Sequence, residues 1–200
     1  MEKISIKPGN TFCPQALFLY GTYKEDGTPN FGLFCWFSYC RDSELAVMAC
    51  IGSSKLTKDR IRAEKVFSAN LVTEALLPLA DYLGNTEGYK QGKMDIPIEV
   101  ECGDVLTVPI LKNSPWIFEL EVSQEIALKG SDIFICKIRN TIIAKDLIDN
   151  SISLESRMAL CSPIMWASTS EHGDYFSLNK SSVGATTDWK THFKNSIFTV

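Results

Sequence analysis

The sequence predicts a mainly β protein with short helices, closed as a mostly antiparallel barrel. Strand-length apolar or alternating runs recur along the chain, and Gly, Pro, Asn and Asp punctuate them as turn residues do. Few helical stretches fall between the strands, so a barrel fits better than a doubly wound parallel sheet. Two hundred residues fit one domain, spanning 1–200, since single barrels commonly reach this size.

The elements follow in chain order. Residues 16–22 read as a strand, and Asp26-Gly27 supplies the positive φ of a hairpin turn. The returning arm runs Phe31-Gly32-Leu33-Phe34-Cys35-Trp36-Phe37. Leu45-Ala46-Val47-Met48-Ala49-Cys50-Ile51 is apolar on both faces, which predicts a strand flanked on both sides. After Gly52-Ser53-Ser54-Lys55-Leu56-Thr57, residues 58–65 have helical composition, with Thr57 as the expected N-cap. Residues 66–72 form another strand. A second helix spans 74–83, with Pro78 in its first turn, and 85–95 is a polar surface loop. Residues 100–110 add a strand. Trp116-Ile117-Phe118-Glu119-Leu120-Glu121-Val122 alternates with period two, and residues 133–139 are its antiparallel neighbour. A short helix is predicted at 153–160. From 162 to 200 the chain is rich in Ser, Thr, Gly and Asn, and an irregular tail is expected.

Composition narrows the functional classes. A net charge of −4 with no cluster of Lys and Arg disfavours a nucleic-acid surface. The charged start Met1-Glu2-Lys3 is unlike a signal peptide, and no apolar run approaches the roughly 20 residues of a membrane-spanning helix. Seven cysteines, without a C-x-x-C pair, read as reduced thiols in a cytoplasmic protein. Only His172 and His192 exist, and the cysteine spacing fits no zinc site, so no metal centre is expected. No G-x-S-x-G elbow marks a nucleophile. Asp42, Glu44, Glu99, Glu101, Glu119 and Glu121 read as solvated faces.

The informative unit is strand, Gly52-Ser53-Ser54-Lys55-Leu56-Thr57, helix. Glycine admits close backbone approach, and a helix start concentrates unpaired N–H groups and positive dipole potential. Ser53, Ser54 and Thr57 add hydroxyls and Lys55 a charge, together suited to a phosphate monoester; an ordinary capped helix is the other reading. It is not a P-loop. Cys35-Trp36-Phe37-Ser38 could wall a flat ring system or pack in the core. Asn70, inside an apolar strand, must be hydrogen-bonded either to nearby backbone or to a ligand.

Taken in order, these pieces resemble the flavin reductase-like, FMN-binding split-barrel family, in its flavoredoxin-type branch. The resemblance rests on Pro14, Asp26-Gly27-Thr28-Pro29-Asn30, Cys35-Trp36-Phe37-Ser38, Gly52-Ser53-Ser54-Lys55-Leu56-Thr57, Val66-Phe67-Ser68-Ala69-Asn70-Leu71 and Asp132-Ile133-Phe134-Ile135-Cys136-Lys137-Ile138. It spans residues 11–144. It implies a six-stranded antiparallel Greek-key split barrel, assembled as a homodimer with FMN near the interface. It also implies a cofactor-binding set: Phe34, Cys35, Trp36, Phe37 and Ser38 along the flavin ring, with Cys50 and Ile51 beside them. Gly52, Ser53, Ser54, Lys55, Leu56 and Thr57 would hold the phosphate, and Asn70 would lie near the flavin. Two departures stand out. Lys129-Gly130-Ser131-Asp132 lacks the histidine common there, and Ser38-Tyr39-Cys40-Arg41-Asp42 replaces a proline-rich loop.

The implied activity is oxidoreduction, with electrons passing from NADH or NADPH through FMN to a flavin or another acceptor. The alternative is an FMN-binding electron carrier without nicotinamide-dependent turnover. No side chain stands out as catalytic.

Overall fold

In the computed structural model, residues 1–169 and 172–178 are described. A short strand β1 (Gln15–Ala16) precedes β2 (Phe18–Tyr23), which turns at Gly27, φ +81°, into β3 (Pro29–Phe34). The arm expected as one strand over 31–37 then breaks. Its second part is β4 (Phe37–Arg41), followed by β5 (Leu45–Gly52), helix α1 (Leu56–Glu64) and β6 (Val66–Leu71). A 3₁₀ turn (Glu74–Leu76) leads into α2 (Leu77–Asn85), with Pro78 in its first turn, where its missing N–H is harmless. Next come β7 (Val100–Cys102), β8 (Pro109–Leu111), and the long pair β9 (Trp116–Ala127) and β10 (Ser131–Ile143). Helices α3 (Lys145–Ile148) and α4 (Leu154–Cys161) follow, the second capped by the Ser153 hydroxyl, which accepts from Ser156 N–H at 3.1 Å. The described chain ends with β11 (Ile164–Ser168) and β12 (Gly173–Ser177). No helix among the described residues is long and apolar enough to cross a membrane.

The main sheet is antiparallel throughout, in the order β3-β2-β6-β9-β10-β5-β4. Its two outer strands, β3 and β4, are consecutive in the chain and joined only by Cys35-Trp36. The sheet is therefore a barrel whose edges meet at a two-residue seam. Counting the broken arm once leaves six strands, as the split barrel requires. β9 and β10 are bent by register shifts at Ile135/Cys136 and Ile138/Asn140, bulges of the kind that let long strands curve.

Alternation sends one face of each strand inward. Tyr20, Val47, Ala49, Ile51, Phe67, Leu120 and Phe134 fill the barrel and are fully buried. The opposite face of β2 and β3, with Leu19 and Phe31, packs on Leu76, Ala80 and Leu83 near and along α2 and on Ile164 of β11. Gly21 is required where β2 passes under β8: a Cβ there would meet Ser68 Oγ at 2.5 Å and the Phe31 ring at 2.7 Å.

Besides the broken arm, three expectations need correction. Residues 100–110 form no barrel strand. They make the small β7–β8 hairpin, because the intervening loop folds onto Glu119 of β9. Glu119 is accordingly fully buried instead of solvated: its carboxylate accepts the N–H groups of Asp104, Val105 and Leu106 and the Asn140 amide at 2.5–2.9 Å. Residues 162–169 and 172–178 are not irregular, since β11 and β12 form a three-stranded antiparallel sheet with β1, buried through Ile164 and Ala167. The rest of the expected tail, 179–200 with His192, lies outside the described residues.

Candidate functional site

The seam of the barrel opens into a cavity of about 310 Å³. Cys35 and Trp36 form its rim, and the end of β5 forms its floor with Cys50 and Gly52. Trp36 is held by its backbone, the carbonyl accepting Cys50 N–H at 2.9 Å, while its side chain remains 48% exposed. A large aromatic surface left this open beside a cavity is an unspent contact for a flat ligand. Phe34 lines the same wall, and its ring stacks on buried Tyr20 with centroids 4.6 Å apart.

Ser53 and Lys55 continue the lining from β5 toward α1. Ser53 adopts φ +57°, a left-handed conformation uncommon outside glycine, and its N–H reaches Gly130 O at 3.3 Å. That turn swings the chain from strand to helix. The helix begins at Leu56, so Lys55, not Thr57, is the N-cap residue, and no side chain caps the first turn. Thr57 falls inside that turn because its hydroxyl is already engaged: Asn30 Nδ2 donates to Thr57 Oγ1 at 3.0 Å. An oxygen that accepts there keeps its own proton to donate. Thr57, Lys55 and Leu56 line a smaller compartment with Gly88 and Lys93. It shares Leu33, Phe34, Lys55 and Gly84 with the main cavity, and the two form one groove.

Seven of the residues anticipated for cofactor binding thus meet around the main cavity: Phe34, Cys35, Trp36, Cys50, Gly52, Ser53 and Lys55. Leu56 and Thr57 line its extension. The others lie elsewhere. Phe37 packs beneath the seam against Phe18, centroids 4.4 Å apart, and Ile51 is fully buried in the barrel. Ser38 and Ser54 are exposed and line neither compartment. Asn70 is sealed by the protein: Nδ2 donates to Leu19 O and Ser68 Oγ, both at 2.9 Å, and Oδ1 accepts Leu111 N–H at 2.8 Å. With no exposed surface it clamps β2 and β8 to β6, so the backbone partner, not the ligand, satisfies it.

Several lining residues escaped sequence reasoning. Trp166 and Tyr175, from β11 and β12, close the far wall, and Gly84 and Asn85 end α2 against it. Their signal was the pair of aromatics in short apolar alternations, masked by polar composition. The Tyr175 hydroxyl donates to Asp81 Oδ1 of α2 at 2.6 Å; burial, then that carboxylate, pushes it up to about 12. Lys93 also went unnoticed, because the 85–95 loop is polar throughout. It is 2% exposed, and its Nζ donates to Phe31 O at 2.7 Å. Burial, with Lys24 and Lys55 nearby, lowers it to about 8.

Charge also fixes the loop from outside. Asp132, where the expected histidine is missing nearby, lies 2.8 Å from Lys58 Nζ and 3.2 Å from Arg62. The Lys58 hydrogen bond chiefly holds its carboxyl below the usual range. This ties α1 to the start of β10, beside Gly130.

Residues 11–170 match the family model described as the flavin reductase like domain. No curated protein matches. Among solved structures, flavoredoxin from Methanosarcina acetivorans is similar over 96% of this chain and 100% of its own, with TM-score 0.81 and 19% identity. An FMN-binding protein from Thermus thermophilus, solved with bound p-hydroxybenzaldehyde, is similar over 92% and 98%, with TM-score 0.72 and 16% identity. A split-barrel-domain protein from Shewanella frigidimarina NCIMB 400 covers 88% of each chain, with TM-score 0.74 and 13% identity. Likenesses at this identity bear on the fold: a split barrel.

Proposed function

Since this chain belongs to the flavin reductase-like family, we propose that it is an FMN-binding oxidoreductase of the flavin reductase or flavoredoxin type, taking electrons from NADH or NADPH and passing them to a flavin or another acceptor. On this reading residues 1–200 form one flavin-binding domain in a cytoplasmic homodimer. The observation that carries it is the groove itself. Its main cavity of about 310 Å³ falls in the roughly 300–1,000 Å³ range of small-molecule sites. One end is aromatic and half open; the other converges on an uncapped helix start, the Thr57 hydroxyl and two lysines. That polarity suits a ligand with a flat ring and an anionic tail.

When bound, FMN supplies the hydride and electron chemistry. The chain's residues bind and orient. Trp36, Phe34, Trp166 and Tyr175 offer apolar and aromatic contact for the ring end. Gly52 and Ser53 bring backbone close, with no side chain in the way at 52, and Lys55, Thr57 and the first-turn amides of α1 take the phosphate. Tyr20, buried beneath Phe34 without a hydrogen-bond partner among the described residues, keeps its proton: burial raises its pKa well above the ordinary value. It is therefore no acid or base at neutral pH. The thiol of Cys35 is likewise pushed up by burial and stays protonated.

The second reading, a carrier without nicotinamide turnover, is favoured by one feature. Asp132 belongs to the run 129–132 that lacks the histidine usual in the family, and Lys58 and Arg62 of α1 pair with it there. The purified protein should be yellow, or become so with FMN, and should bleach anaerobically with NADH or NADPH. Bleaching by dithionite alone selects the carrier. A colourless protein that ignores added FMN sinks both.

A further inference from the structure

Lys93 is the most deeply buried cation of the groove, and nothing in the described chain balances its charge. The side chain crosses from the 85–95 loop beneath β3, where Phe31 O accepts one of its three protons. Its other charged neighbours are Lys24 and Lys55, which repel it, and it makes no ion pair among the described residues. Taking an ammonium out of water without a counter-ion is strongly unfavourable, and a chain normally avoids it with a carboxylate or with exposure. Here the stem and head line the narrow compartment that also receives Lys55, Leu56 and Thr57.

One further wall of that compartment is tightly packed, while Glu87 lines it from the exposed side. Gly88 presses on the helix start so closely that a Cβ would meet Leu56 Cβ at 2.7 Å. Asn30 holds the Thr57 hydroxyl from behind, so its proton is free to be donated. Lysine, threonine and first-turn amides all donate, and the one carboxylate residue lining the compartment, Glu87, is exposed, so the group that complements the buried donors is an acceptor carrying negative charge.

Resting on the reading of the groove as a flavin site, we infer that Lys93 is the counter-charge that selects a phosphate-bearing flavin over riboflavin, which has the same ring and ribityl chain without the anion. The flavin phosphate is the missing partner of this buried ammonium. Lys55 is exposed and exchanges its contact with water; Lys93 cannot, so Lys93 adds the largest single share of the discrimination to what the helix start supplies.

The experiment measures dissociation constants of FMN and riboflavin by flavin fluorescence for the native protein, K93M and K93Q. Methionine keeps the stem volume and removes the uncompensated charge, while glutamine retains a donor for Phe31 O; each variant is checked for folding by circular dichroism. Loss of one charge-assisted contact predicts that the FMN-over-riboflavin preference falls about tenfold or more, with riboflavin affinity within about threefold of native. An unchanged preference in whichever variant is folded overturns the inference. Native protein that binds FMN and riboflavin equally also overturns it, while leaving the flavin site standing. Native protein that binds neither removes the flavin reading itself.

Discussion

The Glu119 carboxylate gives the sharpest test of how the barrel is held to its β7–β8 hairpin. In Glu119→Gln the size of the side chain is kept and half of its acceptors are lost. Oε1 now accepts Asp104 N–H and Asn140 Nδ2, and Oε2 accepts Val105 and Leu106 N–H at 2.9 and 2.5 Å. Whichever way the glutamine amide turns, its NH₂ faces two donors. Two hydrogen bonds to a charged acceptor, each worth about 1.5–3 kcal/mol, are removed, so the expected loss is about 3–6 kcal/mol. For a chain of this length that lowers the thermal midpoint by roughly 6–24 °C. Urea denaturation of native and variant protein measures it directly. The carboxylate has a pH signature as well. Burial would raise its pKa, but the bonds from Asn140 and the three amides outweigh burial and leave it lowered. A lowered folded pKa contributes stability that is present above the unfolded value, about 4.3, and lost as pH falls through the folded one. The native-to-variant difference should therefore be level above about pH 5 and shrink below about pH 4. A loss under about 1 kcal/mol, or one independent of acid pH, refutes this account.

Further outcomes follow from the same geometry. Replacing Lys55 and Thr57 together with alanine should weaken FMN binding about tenfold or more, read by fluorescence titration; unchanged affinity would show that the helix start holds no phosphate. Asn70→Ala should destabilise by about 2–4 kcal/mol, because Leu111 N–H and Leu19 O lose a buried partner, yet leave FMN affinity of the folded fraction as it was. A selective loss of FMN would return Asn70 to the ligand. Asp132→Asn should lower the thermal midpoint at neutral pH, with the difference shrinking progressively as pH falls below about 4, as expected for a carboxylate held below its ordinary value by Lys58 and Arg62. A difference that persists in acid would assign the effect to packing.

What was legible in the sequence was local. The order strand, Gly52-Ser53-Ser54-Lys55-Leu56-Thr57, helix is written in adjacent residues, and that loop falls on the groove. The break at Cys35-Trp36 was not, because apolar residues continue through it and only pairing with β5, residues 45–52, decides where β4 begins. Glu119 illustrates a related blind spot. Period-two alternation places it on a polar face, but three amides 13–15 residues earlier fold over that face. Lys93 was hidden for the same reason, since its burial is set by Phe31 and α1, not by its polar neighbours in sequence. Asn70 was poised between two readings until Leu111, 41 residues away, supplied the partner.

The two-residue seam gives the barrel an unusual freedom of variation. An insertion within any paired strand would turn every following side chain to the wrong face. An insertion between Cys35 and Trp36 breaks only the short contacts Phe37 N–H to Cys35 O and Cys50 N–H to Trp36 O, and leaves the pairing of β3 with β2 and of β4 with β5 in place. Linker length at that point acts as an adjustable spacer: it can widen or narrow the mouth of the main cavity while the barrel, and the smaller compartment behind it, keep their dimensions. Larger or smaller occupants of the cavity can be accommodated there while the strand pairing on either side is kept.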